Sequence, residues 1–232
     1  GNDSLLAVNQ DNTWQINQND GGYIGSPTEF VFSGFENLSG GPGSDEFIFA
    51  DGVSLSGRLD GRAGSDTLNV SNQTAAQSVT LSAGGSTDGF TGTQALIDGG
   101  FDNLDALVGT LQDDTLMGAN LVNNWKLTAA NTGSLNNSFS FSSVEKLVGG
   151  NQNDSLDFSA YPSARDVTLS GGGSLDGYTG TDSSLGVGFD NVNALVGSAY
   201  DDIVNGFEAI NTWKMTTANS GSLNNTLAFS SI

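Results

Sequence analysis

Apolar and polar residues alternate over short stretches. Glu46-Phe47-Ile48-Phe49, Asp66-Thr67-Leu68-Asn69-Val70 and Ser138-Phe139-Ser140-Phe141-Ser142 alternate or carry β-favouring residues between Gly, Asn, Asp and Ser clusters. Runs of this kind predict short strands with one buried face. No segment of about ten residues or more has helical periodicity with caps, so the pattern predicts an almost wholly β chain. The longest apolar runs last only a few residues, against the roughly 18 that a membrane span needs, and no span is expected.

The pattern also recurs at long range. Val79-Thr80-Leu81-Ser82 returns as Val167-Thr168-Leu169-Ser170, Asp88-Gly89-Phe90-Thr91-Gly92-Thr93 as Asp176-Gly177-Tyr178-Thr179-Gly180-Thr181, and Trp125-Lys126 as Trp213-Lys214, each 88 positions later. A fixed offset over several motifs marks duplicated units. On this division residues 1–72 are a partial unit with one extra coil, 73–160 a complete unit and 161–232 a partial one.

A shorter theme lies inside the unit: an aromatic residue or Val, an acid, Asn or Lys, an apolar residue, then a Gly followed five positions later by Asp. It reads Phe35-Glu36-Asn37-Leu38 with Gly40 and Asp45, and Phe101-Asp102-Asn103-Leu104 with Gly109 and Asp114. Val144-Glu145-Lys146-Leu147 with Gly149 and Asp154, and Phe189-Asp190-Asn191-Val192 with Gly197 and Asp202, follow the same rule, and Gly61 to Asp66 repeats its second part. Counting Asp3, the acids fall at 3, 45, 66, 114, 154 and 202, with gaps near one or two times 20 to 24. That spacing is the rung of a parallel β-solenoid of β-roll type, here one continuous solenoid. The alternative is a tandem of β-sandwich domains of about 88 residues, which gives no reason for one Gly-to-Asp spacing to recur within a domain. Ile232 aligns with Val144 and Gly1 with Gln152. About 11 rungs at roughly 4.8 Å, on the order of 50 Å of rod, are therefore expected, open at both ends. Gly1 is not an initiator Met and no targeting peptide is legible, so a processed form or part of a longer array is expected.

Gly40-Gly41-Pro42-Gly43-Ser44-Asp45-Glu46-Phe47-Ile48 fits G-G-x-G-x-D-x-U-x at every specified position. Gly61-Arg62-Ala63-Gly64-Ser65-Asp66 and Gly149-Gly150-Asn151-Gln152-Asn153-Asp154 fit it in part. These nonapeptides resemble the repeats-in-toxin (RTX) family of secreted bacterial proteins, with haemolysin-type calcium-binding repeats, although here they lie at least 21 residues apart. The resemblance implies Ca2+ at turns whose glycines adopt positive φ to aim carbonyls, with Asp adding an anionic oxygen. It makes the extra coil of residues 1–72 one of calcium type. The paired turns Gly40, Gly41, Gly43, Asp45 and Gly61, Gly64, Asp66 are the leading candidate metal ligands. Asp3, Asp113, Asp114, Asp154, Asp201 and Asp202 are the others. Gly and Asp at fixed spacing also fit plain turn chemistry without metal.

Composition narrows the function. The formal net charge is −20 and the cations are only Arg58, Arg62, Lys126, Lys146, Arg165 and Lys214. A field of that sign repels nucleic acid. Without Cys or His the chain has no disulfide frame, thiolate site or Ser-His triad. The dispersed cations also argue against a lyase site, and acids repeated in every unit read as structure. The expectation is a non-enzymatic extracellular structural or adhesive module, calcium-stabilised, in a cell-surface or matrix filament. Its expected partners are further copies of the repeat, in one longer chain or head to tail, and surface polysaccharide. The alternatives are a calcium-binding segment of a secreted toxin or enzyme, and a polysaccharide-acting β-helix enzyme. Trp14, Trp125 and Trp213, one per unit, are expected in a stacked core or as surface anchors, and Asn136-Asn137 and Asn224-Asn225 in turns or asparagine ladders.

Overall fold

A computed structural model describes residues 1–27 and 29–232. Among the described residues there are strands and turns and no helix, so nothing in them is a helix long and apolar enough to cross a membrane. The chain forms two compact units, Gly1–Asp114 with Ser138–Phe141, and Thr115–Asn137 with Ser142–Ile232. In chain order the first begins with β1 (Ser4–Leu6), β2 (Asn12–Gln18), β3 (Gly21–Ile24), β4 (Phe30–Ser33), β5 (Asn37–Ser39) and β6 (Asp45–Phe49). It continues with β7 (Leu59–Asp60), β8 (Thr67–Asn69), β9 (Ser78–Gly84), β10 (Phe90–Gln94), β11 (Ile97–Leu104) and β12 (Ala106–Val108). The second opens with β13 (Thr115–Met117), β14 (Asn124–Ala129) and β15 (Thr132–Leu135); β16 (Phe139–Ser142) starts in the first unit. The remainder are β17 (Lys146–Val148), β18 (Ser155–Asp157), β19 (Asp166–Gly172), β20 (Tyr178–Thr181) and β21 (Gly188–Val192). Then come β22 (Ala194–Val196), β23 (Ile203–Asn205), β24 (Trp213–Thr217), β25 (Ser220–Leu223) and β26 (Leu227–Ser230).

The strands form two mixed sheets, to both of which each unit contributes, and neither closes into a barrel. In the first unit one sheet runs β1-β5-β7-β11-β10-β9 and the other β16-β12-β8-β6-β2-β3-β4. The pairs β1–β5, β5–β7 and β7–β11 are parallel, as are β2–β6, β6–β8 and β8–β12. The second unit repeats the plan as β13-β17-β21-β20-β19-β23 and β24-β25-β26-β22-β18-β14-β15. The second unit has one coil fewer, β17 and β18 standing where the first unit has β5 to β8.

The register explains the sequence pattern. Residues that alternate inward along each strand meet their counterparts on the next, so a column of apolar side chains runs through each sheet. One column is Trp14, Phe47, Leu68 and Leu107; its counterpart is Trp125, Leu156, Leu195 and Phe229. Trp14 and Trp125 are fully buried, Trp14 stacking on Phe47 at 5.4 Å, whereas Trp213 is 42% exposed with its edge against Phe229. In the first unit the two sheets bring their apolar faces together where Phe90 meets Phe139 edge-on at 5.5 Å.

The antiparallel meanders β9–β10–β11, β19–β20–β21, β2–β3–β4 and β24–β25–β26 were not legible in the sequence. The turns that follow β15 and β25 use Asn at positive φ. Asn136, Asn137, Asn224 and Asn225 lie between 52° and 59°, so the expectation of turns there holds. A second difference concerns the alignment of the first residues. β1 lies parallel to β5 as β13 does to β17, pairing Leu5 with Leu38 and Leu116 with Leu147. Asp3 therefore takes the place of Asp114, and Gly1 does not align with Gln152. The two-residue match of Asn2-Asp3 to Asn153-Asp154 is too short to outweigh the frame set by Trp14 and Trp125, 111 positions apart.

Phe47→Ala removes the ring on which Trp14 stacks and leaves a cavity in a column with no exposed member. We expect a loss of about 3–5 kcal/mol, measured by chemical denaturation.

Candidate functional site

The repeated acids stand at strand entrances. Asp45 opens β6, and Asp66, Asp114, Asp154 and Asp202 immediately precede β8, β13, β18 and β23. All five are buried. At three of them both oxygens are engaged, one by the turn four residues back and the other by the neighbouring coil. Asp45 Oδ2 accepts the Gly41 N–H at 2.7 Å and Oδ1 accepts from Asn12 Nδ2 at 2.6 Å. Asp202 accepts the Ser198 N–H at 2.6 Å through Oδ2, and the Ser198 hydroxyl and Arg165 N–H at 2.7 and 2.6 Å through Oδ1. Asp114 does the same with the Thr110 N–H and, at 2.6 Å, the Gln77 N–H.

This arrangement assigns the glycines a different role from the one expected. Among Gly40, Gly41, Gly43, Gly61 and Gly64 only Gly64 has positive φ, at 128°. The others are needed for close approach. A Cβ on Gly40 would sit 2.5 Å from both Asp45 Oδ2 and the Gly61 carbonyl; on Gly197 it would sit 2.0 Å from the Ser231 carbonyl and 2.5 Å from Asp202 Oδ2.

Asp66 breaks the pattern. Its Oδ1 accepts the Asp45 N–H at 2.8 Å, but its Oδ2 has no hydrogen-bond partner although the residue is 0% exposed. The cause lies at Arg62, which replaces the second glycine of the nonapeptide. Its φ is 77°, and its N–H donates to Asp60 Oδ1 at 3.0 Å instead of to Asp66. Burial, reinforced by the charges of Asp45, Asp105 and Asp88, pushes the Asp66 carboxyl up to about 7 against the lowering effect of the Asp45 N–H. Asp105 accepts the Asp66 N–H at 2.9 Å and is itself raised, by burial first and by Asp88. Asp88 accepts the Gly64 N–H at 3.2 Å through Oδ2, while its buried Oδ1 has no partner.

The second unit carries a counterpart 88 residues on. Asp154 Oδ1 accepts the Asn123 N–H at 2.7 Å and Asn123 Nδ2 at 2.9 Å, and Oδ2 makes no hydrogen bond of normal geometry, though the nearby Gly150 N–H stabilises its charge. Burial is the largest cause raising it to about 6. Asn193 stands where the first unit has Asp105: its Oδ1 accepts the Asp154 N–H at 2.9 Å and its Nδ2 reaches Asp176 at 3.5 Å.

The other sequence candidates are dispersed. Asp3, Asp113 and Asp201 are exposed, so each Asp-Asp pair is split into an outer residue and a buried corner residue. Asn12, Gln77, Asp105, Asn123, Arg165 and Asn193 complete the corners and were missed. The signal available was their position directly before, or opening, a short apolar strand.

Calcium asks for six to eight oxygens. Asp45, Asp114 and Asp202 do not fit that demand, since N–H and O–H donors already occupy their carboxylates. Asp45 and Asp66 are joined main chain to side chain, the Asp45 N–H donating to Asp66 Oδ1. Among the described residues no group of three or more Asp, Glu, His or Cys side chains gathers closely enough to hold a metal by itself. The exceptions in donor chemistry are the unpartnered oxygens of Asp66 and Asp88 and, 88 residues on, those of Asp154 and Asp176. Comparison with known protein families, curated proteins and solved structures finds no match to this chain.

The raised Asp66 carboxyl couples stability to pH. Between the ordinary value of 3.8 and about 7 the folded state holds a proton that the unfolded state releases. The stability is therefore fully present below 3.8, falls as pH rises and is lost above about 7. Asp154 acts in the same sense up to about 6. We expect wild type to melt a few °C higher at pH 5.5 than at pH 8, and Asp66→Asn to flatten that dependence. Identical pH profiles in the two proteins would contradict the assignment.

Proposed function

We propose that this chain is a non-enzymatic structural repeat module, a parallel β-solenoid with three-stranded meanders inserted in alternate coils, from an extended extracellular or bacterial cell-surface rod. The observation that carries the reading is the fate of the acids. Asp45, Asp114 and Asp202, which a catalytic or metal reading would recruit, spend both carboxylate oxygens holding main-chain and side-chain donors of adjacent coils, at equivalent places in both units. A reactive centre is a single arrangement; these are repeated joints.

The strand pairing supports the same reading. Successive coils lie parallel and in register, and the chain crosses between the two sheets from β5 to β6, from β7 to β8 and from β11 to β12. A tandem of antiparallel sandwiches does not produce parallel neighbours of this kind.

Further copies of the repeat are the partners that fit. Trp213 and Met215 are 42% and 60% exposed, while their counterparts Trp125 and Leu127 are completely buried. In the first unit Leu6, Val8 and Phe30 are exposed around a groove of about 520 Å³ beside Leu5 and Ile24. Unpaired strand edges with apolar flanks are templates for more strand pairing. Placement outside the cell is supported by the acidic, cysteine-free composition and by the RTX-like nonapeptide.

Negative-stain imaging and mass measurement of the native protein test this. We expect extended rods of uniform width, either long single chains or polymers of short ones. Compact monomeric particles in the native material overturn the proposal.

A further inference from the structure

Arg62 is an unfavourable residue for the place it holds. Gly41 and Gly150 stand at the same position of the other two nonapeptides. With a φ of 77° Arg62 lies in the left-handed region, which residues with a Cβ rarely adopt, and its N–H goes to Asp60 instead of to Asp66. Backbone strain of this kind persists where something beyond the local fold requires the residue, and it gathers at functional sites.

The register shows what surrounds the side chain. Leu6, Ser39, Asp60 and Asp102 form one row across β1, β5, β7 and β11, on the face turned away from the buried Leu38 and Leu59. Arg62 follows β7 and folds back over this row, its Nε donating to Ser39 Oγ at 2.8 Å. Arg58 and Arg165 each form an ion pair, with Asp102 and Asp182, both at 2.8 Å. Arg62 forms none among the described residues; it is exposed, and both of its Nη groups lack a protein partner there. Asp60 uses Oδ1 for the Arg62 N–H and, at 2.7 Å, for Asn103 Nδ2, while its Oδ2 accepts no hydrogen bond among the described residues. Two open hollows share this pair. One, of about 470 Å³, is also lined by Asn9, Pro42 and Thr87; the other, of about 330 Å³, by Leu6, Asn37 and Ser39.

The chemistry of the pair selects the ligand. A guanidinium only donates and an ionised carboxylate only accepts. An anion suits Arg62 but meets Asp60, Asp102 and a formal net charge of −20. A cation meets Arg62 and Arg58. An uncharged polyol satisfies both members, since adjacent hydroxyls accept from the guanidinium fork and donate to the carboxylate. Leu6 and Pro42 offer apolar contact to the C–H face of a sugar ring, and hollows of this size accommodate one.

We propose that Arg62 and Asp60 form a binding site for an uncharged polysaccharide, the Arg62 Nη groups donating to adjacent hydroxyl oxygens of one sugar and Asp60 Oδ2 accepting a hydroxyl proton, with Asn9, Ser39 and Thr87 at the rim. The site belongs to the first unit alone, because Gly150 holds the place of Arg62 in the second. It stands whether or not the chain forms a surface rod: imaging reads assembly, and sugar binding is read separately.

The whole chain is run by affinity electrophoresis through gels holding dextran, mannan or galactan, with alginate as the anionic comparison. The expected result is retardation by at least one of the neutral polymers and none by alginate. Arg62→Gly restores the glycine of the other nonapeptides, so its Tm equals or exceeds that of wild type while affinity falls about tenfold or more, the cost of losing hydrogen bonds from a charged donor. Asp60→Asn keeps an oxygen for the Arg62 N–H and Asn103 and weakens retardation likewise. The proposal is overturned if no neutral polymer retards wild type, if alginate retards it as strongly, or if either variant is retarded as wild type is.

Discussion

The structure depends on one interaction, a buried aspartate that accepts hydrogen bonds from its own turn and from the next coil. A charged acceptor makes shorter and stronger hydrogen bonds than a neutral one, and each such carboxylate satisfies donors that the end of a short strand would leave unpaired. The cost is desolvation of the charge, which two or three donors offset at Asp45, Asp114 and Asp202. The glycine five positions earlier follows from the same geometry, because the carboxylate and a carbonyl of the adjacent coil occupy the space a Cβ would need. Spacing, burial and glycine thus form a single constraint.

Where one corner departs from the rule, the repeat shows how the slot is refilled. Gln77 and Gln94 join side chains at 2.6 Å in the first unit. At the equivalent places Arg165 and Asp182 form a buried ion pair at 2.8 Å, and Arg165 also lies over the Tyr161 ring at 4.1 Å. A neutral pair and a fully matched ionic pair fill the same volume, as expected when polar groups are buried only with partners. Both versions leave the Gln77 or Arg165 N–H bound to the corner aspartate.

Much of this was legible in the sequence, because alternation, the 88-residue offset and the Gly-to-Asp spacing each report a local rule that the fold obeys. The column Trp14, Phe47, Leu68 and Leu107 is the alternation seen end-on. The meanders were not legible, since β10 and β20 carry Gly-containing stretches such as Thr91-Gly92-Thr93, whose partners are set by tertiary contact. The site was half legible. Asp45 and Asp66 were recognisable by motif, but the roles of Asp105 and Asn193 depend on a pairing across 39 residues that no local pattern announces.

Stacked acids in a parallel array repel one another, and the two units meet this differently. Along the second unit the corner sequence reads Asn123, Asp154, Asn193, so its single carboxylate is flanked by amides that donate and accept. Along the first it reads Asn12, Asp45, Asp66, Asp105, because its one additional coil puts an acid between acids. Main-chain N–H groups alternate with the carboxylates and hold the ladder together, yet they cannot cancel three successive charges at the separation of neighbouring strands, about 4.8 Å. Burial is the first cause that raises the carboxyl of the middle member, to about 7, and the charges of Asp45, Asp105 and Asp88 add to it. An insertion of one coil, neutral in strand pairing and in packing of the apolar column, thereby gathers negative charge at one corner of the first unit.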